Sequence, residues 1–249
     1  MGPGSLIIIS ILVFLVAVLY SSVGHGGASG YLAVLSLFAV APATMGSTAL
    51  MLNVLVAGVA LVAYVKAGHL SMKLAWPFLI LSIPAAFLGG FILISDKAYF
   101  VLLALALLVA AFRLAMNASA KDEAGEHAAV SVPVSLGVGA GVGFLSGIVG
   151  VGGGIFLSPI MIIFKWAGTK RTSAVAALFI VVNSIAGLAG RILKGSSFGG
   201  EFLPLIVVAF LGGLLGSYYG ANRFSGIVLR RLLSIVLLIA ATKLVLALF

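Results

Sequence analysis

Charge is what this sequence has least of. Only 8% of its 249 residues are charged, 63% are hydrophobic, and the mean hydropathy is +1.35. A soluble domain carries about 25% charged residues, so there is too little polar surface here for a shell facing water. Cysteine is absent, which excludes disulfides and leaves the redox compartment open. Acidic residues number five, and none sits deep in an apolar run. Asp96 and Glu201 fall at run edges, and Asp122, Glu123 and Glu126 share one hydrophilic stretch. A cation carrier needs carboxylates or other hard oxygen ligands at depth. No HExxH motif or His/Cys cluster offers a metal site, and no nucleophile–base–acid set offers covalent chemistry. The sequence implies no metal, no cofactor and no enzyme.

What is present is a series of apolar runs. Ten are marked, at 5–22, 27–40, 45–65, 74–94, 98–116, 132–149, 153–166, 171–192, 201–221 and 226–248. Most are long enough for a hydrocarbon core of about 30 Å; the second and seventh are short, and each follows a glycine cluster. The spacing predicts an all-α polytopic membrane protein. The first run has no Lys or Arg before it and no small polar cleavage region after it, so it is read as a membrane segment rather than a signal peptide. The net charge of +9 comes from residues scattered singly between runs. That pattern sets topology and excludes a nucleic-acid partner; membrane lipid is the expected surrounding.

The chain divides near its centre. The hydrophilic stretch 117–131, with His127 solvated in it, separates a first membrane repeat, 1–116, from a second, 132–249. VGHGGA at 23–28 matches VGVGGG at 149–154. Gly46-Ser47-Thr48-Ala49 resembles Arg171-Thr172-Ser173-Ala174, Ala57-Gly58 resembles Ala186-Gly187, and FLGG occurs at 87–90 and 210–213. Four matches in one order, spaced by about 125 residues, argue for an internal repeat. With ten spans each half has five and the halves are inverted. Ten of the basic residues then share one side, against Lys97, Arg191, Lys194 and Lys243 on the other. The positive-inside rule places the larger set in the cytoplasm and both termini outside. Hairpins at segments 1–2 and 6–7 preserve the same assignment with fewer spans, so charge leaves that alternative open.

The glycine clusters are not nucleotide loops: a membrane helix precedes each, and no acidic residue follows the first at the required distance. Gly139, Gly143 and Gly147 fit close helix packing. The consecutive glycines, Gly24, Gly26 and Gly27 with His25, and Gly150, Gly152, Gly153 and Gly154, are better suited to breaking a helix and presenting backbone N–H groups to an anion. Two such breaks related by an inverted repeat would converge, which is the geometry of a transport site. Ser47, Thr48, Thr172 and Ser173 either cap the next helices or touch the ligand. Asn53 and Asn183 lie deeper and either pin helices or face the substrate. Ser21, Ser22 and Ser29 flank the first cluster as weaker candidates. His25 either carries a coupled proton or fixes its loop. Arg191, ending segment 8, either snorkels or guards an anion entrance.

The segments SSVGHGGASGYLAV at 21–34, GFLSGIVGVGGGIFLSPIMI at 143–162 and TSAVAALFIVVNSIAG at 172–187 resemble the TauE/SafE family of sulfite exporters and sulfur-anion permeases over nearly the whole chain. The resemblance implies two repeated halves joined by a hydrophilic loop, a place in the bacterial inner membrane, and a substrate such as sulfite, thiosulfate or an organosulfonate. It carries the family glycines onto the two clusters above and the motif proline onto Pro159, which would bend segment 7. The first cluster departs from an all-glycine version at His25 and Ala28. The expectation is a secondary transporter working by alternating access. A proton-coupled importer of thiosulfate or a related anion, a channel, and a structural or sensory membrane protein are the alternatives.

Overall fold

A computed structural model describes residues 3–22, 24–92, 94–116, 130–196 and 200–220, with 238–239, 241–242 and 245–246. Among these residues the fold is all-helical. The helices are α1 (Pro3–Ser21), α2 (Ala28–Leu37), α3 (Pro42–Lys66), α4 (Met72–Phe91), α5 (Asp96–Met116), α6 (Val132–Val149), α7 (Gly154–Ile163), α8 (Thr169–Leu193) and α9 (Leu203–Gly220). Most of the linker, with His127, and most of the expected tenth segment lie outside the described residues.

Five helices, α1, α3, α4, α6 and α8, are long and apolar enough to cross a membrane. Their outward residues are greasy: Ile7, Ile8, Val62, Ile80, Leu145 and Ile185 are all exposed. The polar side chains Ser29, Thr48, Asn53, Ser146, Ser158, Asn183, Ser184 and Arg191 are buried instead. Apolar outside and polar inside is the arrangement a lipid solvent selects. Segments 2 and 7 contract to α2 and α7, ten residues each. At 1.5 Å per residue each covers about 15 Å, half of a hydrocarbon core. Pro159 lies inside α7, which is assigned as helix on both sides of it.

Contacts fix the helix directions. The glycines of α6 run up α4 in step: Gly139 meets Phe78, Gly143 meets Ser82, and Gly147 meets Ala86. α4 and α6 are therefore parallel. α3 and α8 are antiparallel, since Asn53 bonds Ser184 at 3.3 Å while Arg191 lies on Gly46. α1 and α9 are parallel, with Gly212 against Phe14 and Gly216 against Val18. α2 turns back along α1, where Tyr20 and Ser29 hydrogen-bond at 2.7 Å and Gly30 meets Val16. One end of the bundle thus holds the ends of α1 and α3, including Tyr64, and the start of α8. The other holds the start of α3 and the end of α8, including Arg191.

Lipid tails are as apolar as leucine, so these helices associate through van der Waals contact that small residues make possible. A Cβ at Gly147 would collide with the Ala86 carbonyl oxygen, whereas one at Gly137, on the same helix, would meet nothing within 4 Å. Gly147→Leu is expected to destabilise the protein by about 2 kcal/mol or more. Gly137→Ala is expected to stabilise it by about 0.5–1 kcal/mol, through helix propensity alone. Thermal unfolding of the two variants in detergent checks the opposite signs.

Candidate functional site

The two glycine breaks enter the bundle from opposite ends and meet at Asn53. The first leaves α1 at the Tyr64 end. Gly24 lies under the Tyr64 ring, and Gly26 lies against Asn53 and Ala57. The second leaves α6 at the Arg191 end. Gly150 lies on Gly46, and Gly152 lies against Asn53, Ser184 and Ile180. At Gly26 a Cβ would collide with Asn53 Oδ1, and at Gly152 with Asn53 Nδ2. These two positions take glycine because the amide must come that close to backbone. Gly152 also has φ +75°, a left-handed conformation that costs a residue with a Cβ about 1–2 kcal/mol.

Asn53, 1% exposed, uses its whole amide. Oδ1 accepts from the Ala28 N–H at 3.1 Å. Nδ2 donates to the Val151 carbonyl at 3.1 Å and to Ser184 Oγ at 3.3 Å. α2 begins at Gly27 and α7 at Gly153, neither with a side-chain cap. The side chain of Asn53 therefore supplies the cap that the first break lacks. The two short helices direct their positive N-terminal ends toward the same place. His25, half-buried, crosses from the first break to α7, with Nε2 3.1 Å from Ser158 Oγ; Ser158 also donates to the Gly154 carbonyl at 2.8 Å.

A small cavity lies at this meeting point, walled by Tyr20, His25, Gly26, Asn53, Val151 and Ile180 among others. Its free space of about 10 Å³ is near the minimum for one water molecule. Among the described residues no charged side chain lines it. At its edge, Tyr31 packs its ring and hydroxyl against Gly27, and that buried hydroxyl has no hydrogen-bond partner among the described residues.

The remaining sequence candidates are placed differently. α3 starts at Pro42 and α8 at Thr169, with caps at Ala41 and Gly168. Ser47, Thr48, Thr172 and Ser173 are therefore interior helical residues rather than caps, and none lines the cavity. Ser47 donates to the Ala43 carbonyl and Thr172 to that of Ala167, while the buried Thr48 hydroxyl has no partner among the described residues. Asn183 turns back to the Phe179 carbonyl of its own helix at 2.8 Å. Its neighbour Ser184 reaches Asn53 instead, because the face of α8 toward the breaks runs through Ile180 and Ser184, and one residue rotates a helix by about 100°. Tyr20, Ser158 and Ser184 were absent from the sequence reading. The four-residue spacing from Ile180, the α8 side chain beside Gly152, is the signal that finds Ser184.

Arg191 neither snorkels nor faces the cavity. It is 6% exposed. Its guanidinium donates to the Gly147 carbonyl at 3.2 and 3.3 Å and to that of Ile148. Tyr99 donates to the next carbonyl, Val149, at 3.0 Å. Three carbonyls at the end of α6, where the helix dipole is negative, are thereby capped just before the second break. Among the described residues no group of His, Cys, Asp or Glu is arranged to hold a metal ion.

Residues 9–244 match the family described as sulfite exporter TauE/SafE. The chain belongs to this family. It is 35% identical to a probable membrane transporter protein, y4hK, of Sinorhizobium fredii, over 95% of this chain and 96% of that one. It is 26% identical to a probable membrane transporter protein, YunE, of Bacillus subtilis, over 62% of this chain and 63% of that one. No solved structure matches it. A TauE/SafE membrane transporter, embedded through its apolar helices, is what the chain and its relatives have in common, and the paired breaks are the part of it built around polar backbone.

The Asn53 bridge has a measurable weight. Asn53→Ala leaves the Ala28 N–H and the Val151 carbonyl buried and unpaired, at about 1–3 kcal/mol each. Ser184→Ala removes one neutral hydrogen bond and costs about 1 kcal/mol. Thermal unfolding should place Asn53→Ala well below Ser184→Ala; equal values for the two would dismiss the bridge.

Proposed function

We propose that the protein is a secondary transporter that moves a small sulfur oxyanion or organosulfonate, such as sulfite, across the bacterial inner membrane, exporting it by alternating access. The observation that carries this reading is the meeting of two helix breaks, from opposite ends of the bundle, at one buried amide. In this reading the two halves are inverted repeats, and the site is their shared centre. The N-terminal ends of α2 and α7 supply positive potential without a charged side chain. His25, Gly26 and Gly27 line the cavity, Gly24, Gly150, Gly152, Gly153 and Gly154 complete the two breaks that would bind the anion, Asn53 sits between them, and the Tyr31 hydroxyl, without a partner among the described residues, offers a donor nearby. Ser47, Thr48, Thr172, Ser173 and Asn183 stand farther along the same helices and would join the path only as it opens. No covalent step is needed.

Sidedness follows from charge. The Tyr64 end carries Lys66, Lys73, Lys165, Lys170 and Arg171, while the other carries Lys97, Arg191 and Lys194. The positive-inside rule assigns the Tyr64 end to the cytoplasm and the start of α1 to the outside. The family description names sulfite export, which favours sulfite as the first substrate to try.

A second reading, proton-coupled import of thiosulfate or a related anion, rests on His25. It puts the one side chain that ordinarily changes charge near neutral pH into the cavity wall.

Flux of sulfite, thiosulfate, sulfate and a short organosulfonate into proteoliposomes, with and without a pH gradient, tests the proposal. Saturable movement selective for one anion is expected, and Gly152→Val should reduce it at least about tenfold, because its side chain would occupy the place of the Asn53 amide. Normal flux in folded Gly152→Val would misplace the site. His25→Ala is expected to flatten the response to the pH gradient if import is proton-coupled; an unchanged response assigns the proton to another group.

A further inference from the structure

A second cavity, of about 350 Å³, lies at the Tyr64 end, between the ends of α1, α3 and α9 and the start of α8. It is far roomier than the central one and opens to the outside of the bundle. Its wall includes Lys170, His69, Ser22, Tyr64 and Ser217, and among the described residues no acidic one. The Ser217 hydroxyl is buried and has no partner among the described residues. Tyr64 separates this cavity from the glycine site. It lines the cavity on one side, and on the other a Cβ at Gly24 would lie 2.6 Å from its ring. Its ring also stands 6.2 Å from that of His69.

We propose that this cavity is a second anion site, a shallow vestibule that holds a small oxyanion or sulfonate at Lys170 and His69 before it passes Tyr64. The inference rests on the reading of the glycine breaks as an anion path, but it names a different place and different residues. Lys170 supplies the charge. As an exposed side chain it acts through water and is worth little per contact, which suits a site that must release its ligand inward. The serine hydroxyls give polar footing without fixing the anion. The Tyr64 ring lies over Gly24, so the anion reaches the central site only when that ring moves away. Topology alone does not need Lys170, since Lys66, Lys73, Lys165 and Arg171 lie at the same end.

The absence of cysteine allows a test that does not depend on transport. Ser22→Cys, or Ala67→Cys as a second position on the same wall, is labelled in detergent with two methanethiosulfonate reagents of similar size, one bearing a sulfonate and one a quaternary ammonium. The ratio of the two rates is taken relative to the same ratio on a free thiol. The sulfonate reagent is expected to be favoured. Lys170→Gln should cut that preference by about two- to fivefold, and Lys170→Arg should restore it. Equal or reversed preference at both positions, or no response to Lys170→Gln, overturns the vestibule. Because the readout is labelling, a vestibule that fails leaves the flux effect of Gly152→Val standing. If Gly152→Val transports normally while the sulfonate preference persists, the central site fails alone.

Discussion

The carboxamide of Asn53 is the interaction on which the rest of this structure depends. A helix that stops inside a membrane leaves backbone N–H and carbonyl groups with no water to meet them, and each costs several kcal/mol if unpaired. Two helices stop here. Carrying both a donor and an acceptor, one amide meets the Ala28 N–H of the first break and the Val151 carbonyl of the second. A serine in its place could not reach both sides, and a carboxylate could not donate to Val151. Glycine at positions 26 and 152 is the other half of the same arrangement, because the amide occupies the volume in which their side chains would stand.

The two long helices that flank this centre end in different chemistry at the same register. Tyr64 stands two residues before the end of α3, and Arg191 two before the end of α8. Tyr64 covers Gly24 with its ring, which also stands 6.2 Å from that of His69. Arg191 is locked by carbonyls of α6, which offset the cost of burying a cation that has no carboxylate beside it among the described residues. Gly46 and Gly150 are packed backbone to backbone beneath it. The Arg191 end is consequently held by several contacts at once, while at the Tyr64 end, among the described residues, the Tyr64 ring stands between Gly24 and a cavity.

Much of this was open to reading in the sequence, for identifiable reasons. Scarcity of charge and long unbroken apolar runs point to the all-helical membrane class, since a membrane barrel would show strands of about ten residues with alternating hydrophobicity instead. The glycine clusters announced the breaks because consecutive glycines serve helix packing poorly. The partners of the breaks were harder. Asn53 and Asn183 are both deep amides, yet Asn183 lies 130 residues after Asn53 while Gly152 lies 126 after Gly26. Four residues of slip on a helix move a side chain along the axis and around it, and Ser184 took the inward position. Ser47 and Thr48 are cap candidates only if the helix begins at 45 with the apolar run; it starts at Pro42, which suits a first turn by its fixed φ. Arg191 had no acidic partner to betray it. Its partners are carbonyls, which every residue has and no sequence pattern marks.

The contracted cavity bears on how the proposed transport would proceed. With room for about one water, it cannot take a sulfur oxyanion until the two breaks move apart. The bond from Asn53 to Ala28 lies within the first half of the chain, whereas those to Val151 and Ser184 cross between halves. Separation therefore costs the two bonds made by Nδ2 and spares the one made by Oδ1. An oxyanion restores what is lost, because its oxygens accept from the freed Nδ2 hydrogens, and a hydrogen bond to a charged acceptor is roughly twice as strong as a neutral one. The first break keeps its cap throughout, so the N-terminal end of α2 stays formed and aimed at the ligand. A cation can make no such exchange: it offers no acceptor, and it would face the positive ends of both short helices. On this argument the same amide that holds the empty site closed also decides the sign of the charge that can open it.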